Sequence, residues 1–193
     1  MIKLTTPLTV EKIKQLHAGD EVLLSGTIYT GRDAAHKRLM ALIEEGKELP
    51  FHLEDQVIFY VGPTPSKPGK VFGSGGPTTS GRMDAFAPTM IKLGLRSMIG
   101  KGYRQQAVKD AIIKYHGVYF GAIGGAGAMM SNCIKECTVI AFDDLGPEAI
   151  RRLEVEDMPL VVVIDSNGND QYELGRNDYL STCKSVSYTH LRA

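Results

Sequence analysis

Hydrophobic positions along this chain follow two alternating periods, one typical of strands and one typical of helices. The segment EVLLSGTIYT (21–30) is rich in β-forming residues and predicts a strand. The next segment, GRDAAHKRLMALIEEGK, repeats its apolar residues at helical spacing and meets a stop signal at Gly46. Thr30 and Asp33 have the spacing of a capping box, which predicts that this helix begins at Thr30.

The alternation of strand and helix patterns continues through most of the chain. Strands are predicted at VIFYVGP, KVFGSGG, SMIGKG, GVYFGAIGG, CTVIAFDDLG and PLVVVIDSNGND. Helices are predicted from about Arg82 to Leu95 with a break near Pro88, at RQQAVKDAIIKY and at AGAMMSNCIKE. Strands that alternate with helices in this way indicate the α/β class.

Length and composition place the chain among ordinary globular proteins. Its 193 residues suggest one domain, or one domain with extensions, and 43% apolar residues can form a core. The formal net charge is zero, which argues against nucleic acid or an acidic membrane surface as a partner. The N-terminus has no apolar signal core, and the longest apolar run, PLVVVI, is too short to span a bilayer. We therefore expect a soluble, cytoplasmic protein.

The last residues of the chain differ from the rest. The segment STCKSVSYTHLRA has neither periodicity nor an apolar face that could join a core. We therefore divide the chain into a domain at 1–174 and a tail of doubtful origin at 175–193, which we expect to be disordered. Cys183 and His190 lie in this tail and are given no functional role.

The cysteines do not form a recognisable ligand set. Their odd number, three, argues against a secreted disulfide scaffold. Cys133 and Cys137 are one helical turn apart, which predicts two reduced thiols on one buried helix face. A metal or cluster site built by this chain alone would need further ligands, and no CxxC pair or histidine-rich run supplies them.

Two glycine-containing turns carry a cation at the predicted end of a strand. Arg32 would lie in the first turn of a helix, where backbone N–H groups and the helix dipole favour an anion. Arg32 could equally pair with Asp33 or another nearby carboxylate. Lys101 lies between Gly100 and Gly102, where the backbone can approach a ligand closely, or where the lysine is simply solvated.

A third turn, GPTTSGRMD, has an unusual density of polar side chains. Thr78 and Arg82 are four residues apart, so a helix that began here would present both on one face. Arginine offers a planar fork that matches a carboxylate, and the threonine hydroxyl could bond a substrate or move a proton. The alternative is an ordinary strand-to-helix turn with a capping threonine or serine.

Two further features allow more than one interpretation. The segment GAIGGAGAMM (121–130) lacks the spacing of a dinucleotide loop, so a close strand-to-helix turn is favoured over a nucleotide site. His36, one turn beyond Arg32, either supports that site or is a core or surface histidine.

Because ligands bind at strand ends in α/β folds, the cations together predict a small substrate with more than one carboxylate.

Several motifs carry a family resemblance. GTIYTGRDAAHKRL, GPTTSGRMD, MIGKG, YFGAIGGAGA and VEDMPLVVVIDSNGND, in this order over roughly residues 1 to 173, resemble the β subunit of class I fumarate hydratase. That subunit corresponds to the C-terminal domain of the single-chain iron–sulfur fumarases. The related L(+)-tartrate dehydratase β subunit shares the layout.

The resemblance implies a fold, a reaction and a partner. The fold would be a swivelling β/β/α three-layer domain, and the reaction the reversible hydration of fumarate to (S)-malate. Arg32, Arg82 and Lys101 would bind the dicarboxylate, and Thr78 would be the general base. A [4Fe-4S] cluster would be held by a partner α subunit and would act as a Lewis acid, and the family precedent favours a dimer of αβ pairs. Alternatives are a tartrate dehydratase β subunit and a non-catalytic α/β ligand-binding module.

Overall fold

The computed structural model describes residues 1–122 and 127–182, and these form a mixed α/β domain with a seven-stranded sheet. The strands are β1 (Ile2–Thr5), β2 (Glu21–Thr30), β3 (Val57–Phe59), β4 (Ser97–Gly100), β5 (Val118–Gly121), β6 (Ile134–Ala141) and β7 (Ile150–Ile164). The helices are α1 (Val10–Ile13), α2 (Asp33–Glu44), α3 (Ala87–Lys92), α4 (Gln106–Tyr115), α5 (Gly127–Asn132) and α6 (Gln171–Thr182), with 3₁₀-helices at Ser80–Met83 and Asp143–Glu148. The predicted α/β content is confirmed.

The sheet combines a parallel part with one long antiparallel strand. Strands β1 and β3 both pair in parallel with β2, and β3, β4 and β5 are parallel neighbours. Strand β7 is antiparallel to β2, β5 and β6. Because β7 pairs with both β2 and β5, the pairings β2–β3–β4–β5–β7 return to β2 and close a circuit.

The parallel strands β2, β3, β4 and β5 end at one edge of the sheet. Thr30 at the end of β2 pairs with Phe59, Phe59 pairs with Ile99, and Gly100 at the end of β4 pairs with Gly121. The turns that follow β2, β3 and β4 therefore leave the sheet side by side. These are the turns that carry the candidate site residues.

Side chains along β3 alternate between two buried clusters, as successive residues of a strand must. Val57 and Phe59 pack with residues of α1, β2 and β7. Ile58 and the following Tyr60 pack instead with apolar residues of α2, α3 and α4. Burial on both faces explains why VIFYV is a continuous apolar run rather than an alternating one.

Several predicted elements have different bounds or none. The predicted helix at 82–95 is divided into the 3₁₀-helix Ser80–Met83 and helix α3, and the predicted strand at KVFGSGG is not formed. Helix α4 buries Val108, Ala111 and Ile112. Strand β1 and the start of β7 were not predicted, because neither has a distinctive apolar pattern.

The two described cysteines do not share a helix face, so that prediction was wrong. Cys133 follows helix α5, whereas Cys137 lies in strand β6. Both thiols are partly buried against the core that also contains Val57, and neither is in a disulfide. Burial raises the pKa of both thiols, which keeps them protonated near neutral pH.

Helix α6 crosses the boundary that the sequence pattern suggested at Gly175. It is helical to Thr182, buries no residue, and is attached by Lys109, whose Nζ lies 2.7 Å from Asp170 and 2.6 Å from Glu173. Residues 175–182 of the predicted tail are thus part of this helix, and the rest of that tail lies outside the described residues. No helix in the described ranges is long and apolar enough to cross a bilayer.

Candidate active site

Backbone hydrogen bonds join the turns that follow β3 and β4. Thr78 N donates to the carbonyl of Tyr60 at 2.7 Å, which attaches the GPTTSGRMD segment to the end of β3. Ser80 N donates to Lys101 O at 2.9 Å, and Lys101 N donates to Ser80 Oγ at 3.0 Å. The segment that carries Thr78 and Arg82 is therefore held directly beside Lys101.

Arg32 lies at the N-cap of helix α2, not in its first turn, and Thr30 does not cap the helix. The capping box prediction was wrong because Thr30 is the fully buried last residue of β2. Its hydroxyl donates to Ala149 O at 3.3 Å and accepts from Arg151 N at 3.0 Å. Thr30 thus joins β2 to the start of β7.

The start of α2 is capped by a residue distant in sequence. Ala34 N donates to Glu148 Oε2 at 2.9 Å, and Glu148 Oε1 lies 3.4 Å from Arg32 Nη2. A carboxylate is favoured at this helix end by the exposed N–H groups and the dipole. Glu148 therefore caps the helix and orients Arg32, and no local pattern could reveal a partner 114 residues away from Ala34.

Asp33 brings the two arginines together. Its Oδ2 lies 3.7 Å from Arg32 Nη2, and its Oδ1 lies 3.4 Å from Arg82 Nε. The Arg32 side chain is 22% exposed and the Arg82 side chain 56% exposed. The expected pairing of Arg32 with Asp33 is thus present, but it coexists with the convergence of both guanidinium groups on one carboxylate.

Two glycines are required by close approach at this edge. A Cβ atom on Gly62 would lie 2.7 Å from Arg32 Nη1, and one on Gly100 would lie 1.9 Å from Ser80 Oγ. Any larger residue at either position would displace the side chain beside it. The glycines therefore let Arg32 and Ser80 pack directly against neighbouring strand ends.

Thr78 and Lys101 differ from the arginines, because in the described residues neither side chain is in an ion pair. Lys101 is exposed, and in the described part of the chain the Thr78 hydroxyl makes no hydrogen bond. The 3₁₀-helix begins at Ser80, so Thr78 precedes it and does not share a helix face with Arg82, contrary to the prediction. Backbone pairing of Thr79 with Lys101, rather than helical spacing, keeps these residues together.

A buried hydrogen-bond chain lies beneath the Lys101 turn. Tyr119 OH donates to Gly102 O at 3.0 Å, so the 2.9 Å contact between Tyr119 OH and Ser80 Oγ has Ser80 as the donor. Ser80 in turn accepts from Lys101 N. Burial raises the pKa of Tyr119, which keeps the phenol protonated and able to donate. These hydrogen bonds hold the turn at two points, Lys101 N and Gly102 O.

A buried ion pair joins the Arg82 segment to helix α4. Arg104 Nε lies 2.7 Å from Asp84 Oδ1, and the two side chains are 0% and 1% exposed. The other Asp84 oxygen accepts from Gln105 N at 2.7 Å. Arg104 also stacks over Tyr119, with its guanidinium carbon 4.9 Å from the ring centroid. Sequence inspection gave Asp84 and Arg104 no role.

His36 is a core histidine that supports the backbone of Arg32. It is 1% exposed, and its Nδ1 lies 2.8 Å from Arg32 O, which makes Nδ1–H the donor. Burial lowers the pKa of His36 to about 4, so the ring is neutral at pH 7. A neutral buried ring with one committed N–H positions Arg32 and does not transfer charge.

The described residues do not fit as ligands of an iron–sulfur cluster. In residues 1–122 and 127–182 no three His, Cys, Asp or Glu side chains gather in a metal-binding arrangement. The Cys133 thiol lies 3.7 Å from Met129 O, and its pKa is raised rather than lowered. Cys133 and Cys137, the cysteines in the described ranges, are both free and belong to no such group.

Comparisons with known proteins agree along almost the whole chain. A family model described as the fumarase C-terminus matches residues 1–175. Identity to an anaerobic class I fumarate hydratase of Escherichia coli (strain K12) is 40% over 174 residues, which is 89% of this chain and 32% of that protein. Identity to fumarate hydratase 2 of Leishmania major is 38% over 164 residues, or 84% and 29% of the two chains.

A third relative has a different coverage. Identity to a proposed L(+)-tartrate dehydratase subunit beta of Methanocaldococcus jannaschii is 39% over 172 residues, which is 86% of this chain and 88% of that protein. The chain therefore spans about a third of the length of the fumarate hydratases that it matches, and most of the length of this subunit.

Proposed function

The chain belongs to the fumarase C-terminus family, and from this premise we propose that it is the β half of an iron–sulfur hydro-lyase that interconverts fumarate and (S)-malate. Family membership confirms the resemblance that the motifs indicated. The observation that carries the proposal is the meeting of Arg32 and Arg82 on Asp33, beside the turn that holds Lys101. Three cationic side chains at one edge suit a substrate with two carboxylates.

The cations would bind and orient the dicarboxylate. Arg32 and Arg82 can each offer paired N–H donors to a carboxylate, and Lys101 supplies a mobile point charge. Removal of the proton from the carbon of (S)-malate builds negative charge on the adjacent carboxylate. Fixed cations directed at that carboxylate stabilise the transition state more than the ground state.

Thr78 is the proposed residue for proton transfer at carbon. A threonine hydroxyl is a poor base unless a neighbour alters its acidity. In the described part of this chain its hydroxyl makes no hydrogen bond, and we propose that the substrate or a second polypeptide supplies the neighbour. The site would then be complete only when another chain covers the edge.

The second polypeptide in this proposal is an α subunit that binds a [4Fe-4S] cluster. Support comes from the exposure of Arg82 and Lys101, which leaves the site open, and from the unsuitable environment of this chain's own cysteines. The α subunit would also supply the acid opposite Thr78. We propose a dimer of αβ pairs, located in the cytoplasm.

We also propose that the fold is the swivelling β/β/α three-layer domain. Support comes from the two separate apolar clusters: one lies among β-strands and α1, and the other lies between the parallel strands and α2, α3 and α4. A helical layer on one side and a second strand layer on the other would produce this division. A rigid unit of this kind can close over substrate as one body, which excludes water from the site.

Tartrate is the second candidate substrate. One observation favours it: the chain covers most of the proposed tartrate dehydratase subunit, but only about a third of each fumarate hydratase. Both substrates carry two carboxylates, so the same cations would serve. They differ in hydroxyl groups, which the covering chain could distinguish.

A substrate panel on the assembled complex tests this proposal. The chain is co-expressed with the neighbouring reading frame for a cluster-bearing α subunit and purified without oxygen. We expect a brown complex that removes the ultraviolet absorbance of fumarate; preferential turnover of L(+)-tartrate would support the second candidate. A colourless, stable monomer that binds nucleotide and turns over neither dicarboxylate would overturn both in favour of a ligand-binding module.

A further inference from the structure

The Arg82 side chain is more exposed than that of Arg32, the other arginine of the candidate site. It projects from a short 3₁₀-helix and is 56% exposed. An exposed arginine with no partner would lose several rotamer states when it binds a ligand, which weakens binding. In the described ranges, Asp33 is the one carboxylate within the 4.0 Å ion-pair distance of its guanidinium.

The geometry of this contact leaves the arginine able to bind. Asp33 Oδ1 approaches Nε, at 3.4 Å, and guanidinium presents five N–H donors in a fixed plane. A contact on the Nε side leaves the outer edge of the fork, between the two Nη atoms, for a carboxylate of the substrate. The same Asp33 lies 3.7 Å from Arg32 and reduces the repulsion between the two cations.

Asp33 itself is held more firmly than Arg82. It is the first residue of α2, where the dipole and free N–H groups favour a carboxylate, and its side chain is 28% exposed. The backbone on its N-terminal side is fixed by the bond from His36 to Arg32 O and by the Glu148 cap. A carboxylate held in this way can restrict the orientations of the more exposed Arg82 guanidinium.

We propose that Asp33 is a positioning residue, which holds the Arg82 guanidinium oriented toward the substrate carboxylate and beside Arg32. This inference rests on the proposed dicarboxylate function. The competing possibility is that Asp33 occupies the cations and weakens substrate binding. The two possibilities predict opposite changes in KM when Asp33 is replaced. Loss of a positioning group raises KM, whereas loss of a competitor lowers it.

The test compares Asp33→Asn with Asp144→Asn in the αβ complex. Asp144 pairs with Arg38 of the same helix α2, so its variant removes an equal charge at an exposed pair away from the turns. We expect Asp33→Asn to raise KM for fumarate about three- to tenfold, with kcat changed less than about twofold. Asp33→Glu should recover much of the loss, and Asp144→Asn should match the wild type.

A second readout does not depend on turnover. In the full chain labelled on arginine nitrogen, the Nε–H signal of Arg82 should shift in Asp33→Asn and not in Asp144→Asn, with the melting temperatures of the folded variants recorded. An unchanged or lowered KM in Asp33→Asn overturns the inference, as does an unmoved Arg82 signal. If the wild-type complex turns over no dicarboxylate, the proposed function fails instead, and the signal alone then decides whether the contact exists.

Discussion

Two aspartate–arginine contacts involve the short 3₁₀-helix Ser80–Met83 and the residue after it, and they differ in distance and burial. Asp84 and Arg104 are fully buried, with Arg104 Nε 2.7 Å from Asp84 Oδ1. The second Asp84 oxygen accepts from Gln105 N, and the guanidinium carbon lies 4.9 Å from the centroid of the Tyr119 ring. Asp33 and Arg82 are 3.4 Å apart at the surface, and the arginine is more than half exposed. The two pairs begin only two residues apart, at Arg82 and Asp84.

The difference in burial indicates different roles for the two pairs. A buried charge that loses its partner is strongly destabilising, so Asp84 and Arg104 are fixed structural partners. An exposed pair contributes little to stability and can accept a new partner. The inner pair therefore holds the Arg82 segment against the start of α4, while the outer pair leaves the Arg82 guanidinium accessible.

The largest expected effect is on the inner pair. Asp84→Asn leaves the Arg104 charge buried without a counter-charge and should lower the free energy of unfolding by about 3–5 kcal/mol. Urea unfolding of the full chain measures it, with Asp144→Asn as the exposed control. A loss below about 1 kcal/mol would show that the contrast between the two pairs is wrong.

Thr78→Ala should lower kcat of the complex by about a thousandfold, because general acid–base groups contribute on this scale. Arg32→Lys keeps the positive charge but loses the planar fork, so its effect on kcat should be near tenfold. Steady-state kinetics at matched cluster content compares the two. The reverse order would assign proton transfer to another residue.

Arg82→Ala should lower kcat/KM by about a hundredfold or more and leave the free energy of unfolding within about 0.5 kcal/mol. The reason is its exposure, since little packing is lost with the side chain. Fumarate hydration and urea unfolding are measured on the same preparation. Near-normal kinetics would remove Arg82 from the site, and a large loss of stability would make it a structural residue like Arg104.

The smallest effect concerns His36, whose folded-state pKa of about 4 lies below its ordinary value of 6.5. Between these values the unfolded chain binds a proton that the folded chain does not, so stability is full above pH 6.5 and is lost as the pH falls. The loss between pH 7 and pH 5 should be about 2 kcal/mol.

The control for this pH dependence is a histidine at the surface. His36→Gln should remove the His36 contribution, whereas His17→Gln should leave it, because the His17 side chain is 70% exposed. Urea unfolding at several pH values gives the slopes. Parallel curves for wild type and His36→Gln would contradict the buried, neutral state of His36.

Local patterns in the sequence predicted most of the strands and the glycine turns that follow them. Lys101 and Arg82 were proposed as site residues because glycine and proline mark turns and each of these turns carries a cation. The α/β class followed from alternating periods alone. These properties are encoded within a few residues of one another.

Partners that meet only after folding could not be predicted. Glu148 caps α2 although it lies 114 residues beyond Ala34. Thr30 is a residue type that often caps helices, but its hydroxyl instead donates to Ala149 O in the interior. Asp84 and Arg104 look like surface residues in sequence, yet the packing of the Arg82 segment on α4 buries both. Cys137 has helical spacing from Cys133 but lies in a strand that pairs with β7.

We propose that cations from separate turns bind both carboxylates of the substrate at once. The ratio of kcat/KM for fumarate to that for crotonate, in which a methyl group replaces one carboxylate, measures this directly. For the assembled complex we expect a ratio of at least about a hundred, because the unused cations are left without a partner. Equal values for the two substrates would contradict the account.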